Sequence, residues 1–514
     1  MVSDEIELVK KQIRGEVGNR GNSVLHPPSS PFTMHAFETG MFSEKGRNMA
    51  HVKDFGAVGD GQTDDTVAIQ HAIEMGEGVV EFGRGNYRIS RTIPIDLAKH
   101  GRTSITGSDG VAKVIMAGAG PAFFFQGTHA KTADPNGFRP EEWELERMPM
   151  VSGIEITGDH PEADGIRIEG VMQPTLRGVL IRQVHTAVHL TSRNRNVIID
   201  HCHFYHNTGV GIHMDNLNLH QCNITGNHIS YNRLGGIRIE NSEIRNLQIT
   251  GNDIEYNNNR AHQVPDADSV PTAEIYIHVG EGSVREATIA SNTIQATYSP
   301  NGANIHLIGT GGGVDHKMGM TCITGNLIGS QETNVLLESV RGITLTGNYI
   351  YSGHHRNLWV RDSRNIVVGS NVIGHNPDYR KNELATGVRF ENSKNCILQG
   401  TLIQDSQAGK HTVPGTVPIE RDGLVELVGC RGMTLSGVQI LEGEPYSLYV
   451  EDCEDTVLNG CTILDQRSPK QSRAAIRWKG SAAGNMIAAC RIGKGTQTDI
   501  ESDDDLVKPH LIGD

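Results

Sequence analysis

Several things are scarce in this sequence, and each scarcity excludes something. Aromatic residues make up 5% of the 514 residues while glycine is abundant at 60, an odd composition for a large helical enzyme. No apolar run is long enough to span a bilayer, so no membrane partner is expected. Positive charge is in deficit, 46 Lys and Arg against 60 Asp and Glu for a net of −14. No global basic field draws nucleic acid, and an anionic ligand would have to be held by local Arg and His. The eight cysteines are scattered with no CxxC pair, which argues for buried free thiols over a disulfide framework or metal set. Cys430 and Cys453 fall at equivalent positions and are the one pair to watch. The opening "MVSDEIELVKKQIRGEVGNRG" holds acidic residues early and no apolar core of signal-peptide length. It points to a soluble chain, cytoplasmic or trimmed from a secreted parent.

What is present is repetition. In "GIHMDNLNLHQCNITGNHISYNRLGGIRIENS" (Gly211 to Ser242), Gly-Ile-His-Met-Asp-Asn returns as Gly-Ile-Arg-Ile-Glu-Asn, with the apolar letters kept and the polar ones changed. From about 150 to 495 the chain divides into units of roughly 23 residues, a solenoid period. Apolar residues alternate at strand period within each unit. Ile212, Met214, Ile237 and Ile239 are expected to point into a stacked core, with His213, Asp215, Arg238 and Glu240 pointing out. A "GN" step recurs at Asn227, Asn252, Asn326 and Asn348, with Asn292 and Asn371 at the same place after Ser. Stacked turns with an amide ladder are the expectation, and Cys202, Thr401, Val438, Cys461 and Cys490 fill the equivalent slots. Units too short for a helix, stacked by repetition, predict an all-β right-handed parallel β-helix, the hand following from the crossover rule. Residues 1–48 form an arm of unassigned role, 49–149 the cap and first coils, 150–495 the repeats with the groove, and 496–514 a tail.

Ahead of the repeats, "VKDFGAVGDGQTDDTVAIQHAIE" (Val52 to Glu74) predicts a short amphipathic helix using Val67, Ile69, Ala72 and Ile73, capped from Thr63, Asp64 and Asp65. Such a helix would cover the open end of the stack. The "DFGAVGDGQTDDT" segment resembles the N-terminal motif of the pectate-lyase-like superfamily of right-handed β-helix proteins, which includes hydrolases, lyases, epimerases and phage depolymerases. The resemblance, motif plus repeats, covers roughly residues 50 to 495. It implies that Asp54, Asp60, Asp64 and Asp65 are structural, and that the chain acts on a polysaccharide or oligosaccharide. It also makes a homotrimer the oligomer to expect, although nothing in the chain fixes the number of subunits.

Stacking the "GIHMDN" strands lines up two outward columns on one face. The first reads Arg167, His189, His213, Arg238, Tyr276, His306, Leu336, Trp359, Arg389, Glu426, Tyr449, Arg477. The second reads Glu169, Thr191, Asp215, Glu240, His278, Ile308, Glu338, Arg361, Glu391, Val428, Glu451, Lys479. Neighbours in a column lie about 4.8 Å apart and neighbours along a strand about 6.6 Å. Four His and a Tyr crowded with carboxylates and an Arg make this stretch the candidate site. The plainer reading is a wet face of ion pairs such as Asp215 with Arg238. Long connections entering at "YNNNRAHQVPDADSVPTAE", "GHNPDYRKNELATG" and "DSQAGKHTVPGTVPIERDG" would wall a groove on the same side.

His213, Asp215, Arg238, Glu240, Tyr276 and His278 are the catalytic candidates. His189, Glu274, His306, Glu338, Trp359, Arg361 and Arg389 are the substrate-binding ones, with Trp359 and Tyr449 able to stack on sugar rings. One mechanism is β-elimination on a uronate: Arg238 or a bound cation neutralises the carboxylate, and a neutral His or Tyr276 takes the C5 proton. Returning that proton to the other face would make an epimerase. The alternative is glycoside hydrolysis by Asp215 and Glu240, or one of them with Glu274 or Asp268. From another class, a non-catalytic glycan binder or tail-fibre rod would use the same fold. The Asn-Thr-Asp, Asp-Asp, Gly-His-Gly and Arg-Ile-Lys set of polygalacturonase-type hydrolases is missing, as is the epimerase-like Asp-Pro-His-Glu. "NVIIDHCHF" resembles a pectate-lyase Trp-Ile-Asp-His stretch but falls on another strand, where Asp200 and His201 read as turn elements. His201, His203 and His206 lie too near strand period to converge on zinc. No cofactor is required by this reading; calcium is the cation the outward carboxylates suit, with no ligand set to assign.

Overall fold

The computed structural model describes residues 49–130, 137–258, 272–310, 316–376, 387–404, 421–480 and 483–503, and the backbone of 510–512. Contacts divide the chain into two units, Met1–Arg47 and Asn48–Asp514. The first, with the expected arm, lies outside the described residues.

The second unit is a parallel β-helix. Every strand pairing is parallel, and each coil passes through three faces. Two faces share one 30-stranded sheet, because strands such as Val188–Asp200 and Val210–Thr225 run through both; the third face is a separate 16-stranded sheet. One continuous apolar core runs from Ala50 to Ile487. Ile212, Met214, Ile237 and Ile239 are all fully buried in it, as strand alternation requires. The bare coil is 23 residues, as between Leu336 and Trp359. Inserted connections stretch it to 38 between Arg238 and Tyr276.

The turn ladder forms as expected. Asn227 donates its backbone N–H and Nδ2 to Asn252 Oδ1, and the pattern repeats through Asn292, Asn326, Asn348 and Asn371. Cys202 opens the run with its N–H on Asn227 Oδ1, and Thr401 Oγ1 receives the N–H of Asn371. Each amide thus satisfies two donors that would otherwise be buried and unpaired. Cys430 and Cys453 sit on neighbouring rungs, both free, the Cys430 N–H meeting Cys453 Sγ at 3.4 Å.

At the N-terminus a helix, Thr66–Met75, covers the first coil and adds Ile69, Ala72 and Ile73 to the core. Two expectations change here. Val67 is 52% exposed, since two residues turn a helix by about 200° and set Val67 opposite Ile69. Asp65 is the cap residue, but its carboxylate turns back to accept from the N–H groups of Val58 and Gly59; Asp64 accepts the first helical N–H, from Thr66. These aspartates hold the motif together. At the other end, Ile500–Ser502 is a further rung paired with Ala474–Lys479, so the solenoid continues into what the sequence suggests is a tail.

Candidate functional site

The first face carries the two expected columns, and the register pairs all twelve rungs of each in the expected order, from Arg167 beside His189 to Glu451 beside Lys479. The three long connections enter this face from its N-terminal edge, between Asn258 and Thr272, Asn376 and Gly387, and Gln404 and Arg421. The connections themselves, including Asp268, lie outside the described residues.

Two His–Glu–Arg groups flank Tyr276. On one side His213 Nε2 lies 3.2 Å from Glu240 Oε2, while Arg238 donates Nε at 2.7 Å and Nη2 at 2.8 Å to the same carboxylate. The His213 hydrogen bond first, and then the Arg238 fork, hold Glu240 down to about 2 against the opposing effect of burial. Glu240 is an anion at any working pH. On the other side Glu338 bridges His306 Nε2 and Arg361 Nη2. Burial, then the nearby Arg361 charge, hold His306 down to about 4, so the neutral ring donates to Glu338. Between them the Arg238 guanidinium lies 4.6 Å from the Tyr276 ring centre, and the His306 ring meets Tyr276 edge-on at 5.4 Å. Burial raises the Tyr276 phenol above its usual range, outweighing the opposing pull of Arg238. Tyr276 is therefore a proton donor, not a ready base.

His189 stacks on His213 at 5.3 Å, and burial with the neighbouring His213 and Arg167 keeps its ring neutral. His278 sits 6.4 Å from Tyr276, ring to ring. Trp359 packs with Leu336, Tyr276, Ala273 and Ala303 in a small apolar cluster outside the main core, a floor for the groove, and carries Arg361 over its ring at 5.2 Å. Asp215 pairs with neither arginine; its Oδ1 accepts from Asn216 Nδ2 at 2.8 Å. The Asp215–Arg238 ion pair of the plainer reading gives way to Arg238–Glu240, whose fork is in reach along one strand.

Glu274 is not in the groove. It is 1% exposed, on the inward side of its strand, and accepts the backbone N–H and Nδ2 of Asn257. It ends a second amide ladder, Asn207–Asn232–Asn257, that sequence reasoning missed. The signal was present in the repeated "HN" and "YN" steps before each groove strand. Arg389 is in the groove, bonded to Glu391 at 3.0 Å and to Glu426 at 3.1 Å.

Sequence reasoning also missed a second polar cluster further along. Arg356 and Glu426 form a buried ion pair at 2.8 Å with side chains 6% and 1% exposed. Beside it, burial and the Glu426 and Glu451 charges push the Asp422 carboxyl up. Glu451 is held low by Lys479 and by the Tyr449 hydroxyl, which donates to it at 2.8 Å. Asp200 and His201 lie off this face, bonded to each other at 3.0 Å, with the His201 side chain 68% exposed. Among the described residues no group of three or more His, Cys, Asp or Glu converges as a metal site, and no helix is long and apolar enough to cross a membrane.

Residues 151–274 match the family model described as the right handed beta helix region. No curated protein sequence matches the chain significantly. Among solved structures the chain is similar to the N-terminal fragment of bacteriophage Phi29 gene product 12, at 15% identity over 89% of this chain and 73% of that one, TM-score 0.45. It is similar to tailspike protein 3 of bacteriophage CBA120, at 12% identity over 90% of this chain and 61% of the tailspike, TM-score 0.39. A third is the A-module of Azotobacter vinelandii mannuronan C-5 epimerase AlgE6, at 12% identity over 88% and 99%, TM-score 0.35. The chain spans 61% of the CBA120 tailspike's length, and likeness at this level assigns no activity. The family match over 151–274, continued in both directions by one unbroken parallel register, makes the chain a right-handed parallel β-helix.

Proposed function

We propose that the chain processes a polysaccharide or oligosaccharide lying along the first face, by β-elimination at a uronate residue. The observation that carries this reading is the protonated Tyr276 held between Arg238 and the neutral His306, with His213 oriented by an anionic Glu240 next to it. With its Nε2 edge on Glu240, His213 has Nδ1 left to accept a proton. The C5–H bond breaks and its proton goes to His213; the electron pair forms the C4–C5 double bond. The C4–O bond breaks with its pair on oxygen, which takes the Tyr276 phenol proton. Arg238 faces the charge that builds on the substrate carboxylate. Solvent then returns the proton from His213 to the phenolate.

A second reading, hydrolysis, is favoured by one observation away from Tyr276. Asp422 and Glu451 have carboxyls pushed in opposite directions, the pattern of an acid and a base. Glu240, the carboxylate the sequence suggests, cannot serve as that acid while held down to about 2. Digestion in heavy-oxygen water separates the two. Elimination leaves the new chain end without solvent oxygen and adds an unsaturated sugar that absorbs in the ultraviolet. Hydrolysis puts solvent oxygen on the new reducing end. Tight glycan binding with neither product would make the chain a binder.

A further inference from the structure

The second face carries a charge pattern that the groove does not use. Each of its strands bends at a residue with positive φ, such as Asn196, Gln221 and Asn246. The residue just before the bend points outward, because its predecessor, for example Leu219 or Ile244, is in the core. At that outward position the register sets Arg195, His220, Arg245 and Arg285 on four successive rungs. Past Gly319 it sets Arg341, Arg364, Lys394 and Arg431 on four more. The row extends roughly 40 Å at the β-rung spacing. All eight side chains are partly or fully exposed; seven are cations, while burial and the neighbouring Arg195 and Arg193 hold the His220 ring below its usual range, so it enters the row as a neutral hydrogen-bonding group.

Such a row is costly, since like charges facing one another across strands destabilise a sheet, and it stands out in a chain of net charge −14. Acids stand along the row: Arg245 meets Glu243 at 3.3 Å, Arg431 meets Asp455 at 3.1 Å and Glu454 at 4.0 Å, and Glu286 stands in the next column. Arg195 gives its Nε to Asn196 and lies 4.8 Å over the Phe138 ring, and Arg341 gives its Nε to the His316 carbonyl. Beside the cations runs a row of amides. Asn196, Gln221, Asn223, Asn246 and Gln248 line a shallow depression of about 340 Å³.

We infer that this face is a second ligand surface, which binds an extended acidic polysaccharide along the solenoid axis. The cations take its carboxylate or sulfate groups and the amides take its hydroxyls. Charge complementarity selects a polyanion, and the straight row selects an extended one. Single-stranded nucleic acid is disfavoured because its binding surfaces interleave cations with stacking aromatics, and no Phe, Tyr or Trp occupies these columns among the described residues. The inference is independent of the groove: it concerns another face and holds whether or not the chain is an enzyme.

The test is fluorescence anisotropy of labelled polygalacturonate and heparin with the full chain, from low to high salt, with neutral dextran and a single-stranded oligonucleotide as comparisons. The expected result is binding to both acidic glycans, none to dextran, and affinity that falls steeply with salt. The triple variant Arg285→Gln, Arg364→Gln, Lys394→Gln loses about ten-fold or more in affinity and shows a shallower salt dependence. The exposed single variant Lys394→Gln, which should not disturb folding, loses about two- to three-fold by the same reasoning. His213→Ala and Tyr276→Phe, on the other face, leave salt-dependent binding in place. Unchanged affinity in the cationic variants, tighter binding of the oligonucleotide than of either glycan, or self-association of the chain in place of glycan binding would overturn it.

Discussion

Replacing Glu274 with glutamine should make the protein more stable at neutral pH, although the substitution removes a doubly hydrogen-bonded carboxyl. Within each amide ladder one oxygen accepts two donors from the rung before, and the amide nitrogen passes a donor to the rung after. Glu274 accepts both donors of Asn257 but, when ionised, has no hydrogen to pass on. On the next rung stands Asn304, which continues the run to Asn334 while its own Oδ1 is buried without a partner. Burial, despite the Asn257 hydrogen bonds that oppose it and helped by the Glu255 charge, raises Glu274 well above 4.5. In the folded state it holds a proton the unfolded chain would release. Stability from this group is therefore fully present below pH 4.5 and is lost as pH rises toward the folded value. Protonated Glu274 can pass its hydrogen to Asn304 Oδ1 as a glutamine Nε2 would, but ionised it cannot, and leaving that buried acceptor unsatisfied costs about 1–3 kcal/mol, which glutamine avoids at every pH without holding a proton. The assay is denaturant unfolding of wild type and Glu274→Gln at acid, neutral and mildly alkaline pH, comparing midpoints because a solenoid need not unfold in one step. Glu255, itself pushed up to about 7 by burial and Asp253, adds its own slope to both proteins. The difference between them should widen from acid to neutral pH. A difference that stays flat with pH, or a glutamine variant less stable throughout, would refute the reasoning.

Other outcomes follow from the same contacts. Asn252→Ala strips the acceptor from the Asn227 N–H and Nδ2 in the middle of the ladder, and should cost about 2–5 kcal/mol in denaturant titration. Arg356→Met removes one of the two arginines bonded to the buried Glu426 and should cost about 3–5 kcal/mol, with Arg356→Met, Glu426→Leu recovering much of it. Of the described cysteines, Cys322 is exposed and Cys490 partly so, whereas burial pushes the Cys202, Cys222 and Cys396 thiols up to about 12. Native labelling with a thiol reagent should modify Cys322 first and leave those three until unfolding, as peptide mapping would show.

The sequence disclosed the columns because strand alternation is strict. Once Ile212 and Ile237 are placed inside, His213 and Arg238 have nowhere to go but out, and the register follows from the repeat. Glu274 escaped the same logic because it was taken with the long connection, and because alternation fails at the start of its strand, where Glu274 and Ile275 are both buried; the Asn257 ladder supplies the carboxyl's partners. Pairing within a column was equally illegible. Asp215 and Glu240 look alike in the repeat, yet Glu240 takes Arg238 from its own strand and His213 from the rung before. Asp422 was missed because it flanks a long connection, where the repeat loses its phase, and Arg356 because it stands at the start of its strand, outside the two columns. The cationic row was hidden by spacing: "RN", "RG" and "KN" recur at irregular intervals, and only the rungs bring them into line.

The central claim is that Tyr276 and His213 perform chemistry on a glycan. The purified protein should be offered alginate, pectate, glycosaminoglycans and neutral glycans, with ultraviolet absorbance and reducing ends recorded together, and with Tyr276→Phe and His213→Ala alongside. The account predicts an absorbing, unsaturated product from a uronate-containing glycan and a loss of about 10²–10⁴ in rate for each variant, with melting temperatures unchanged. Reducing ends without absorbance, or an absorbing product formed equally fast by both variants, would contradict it.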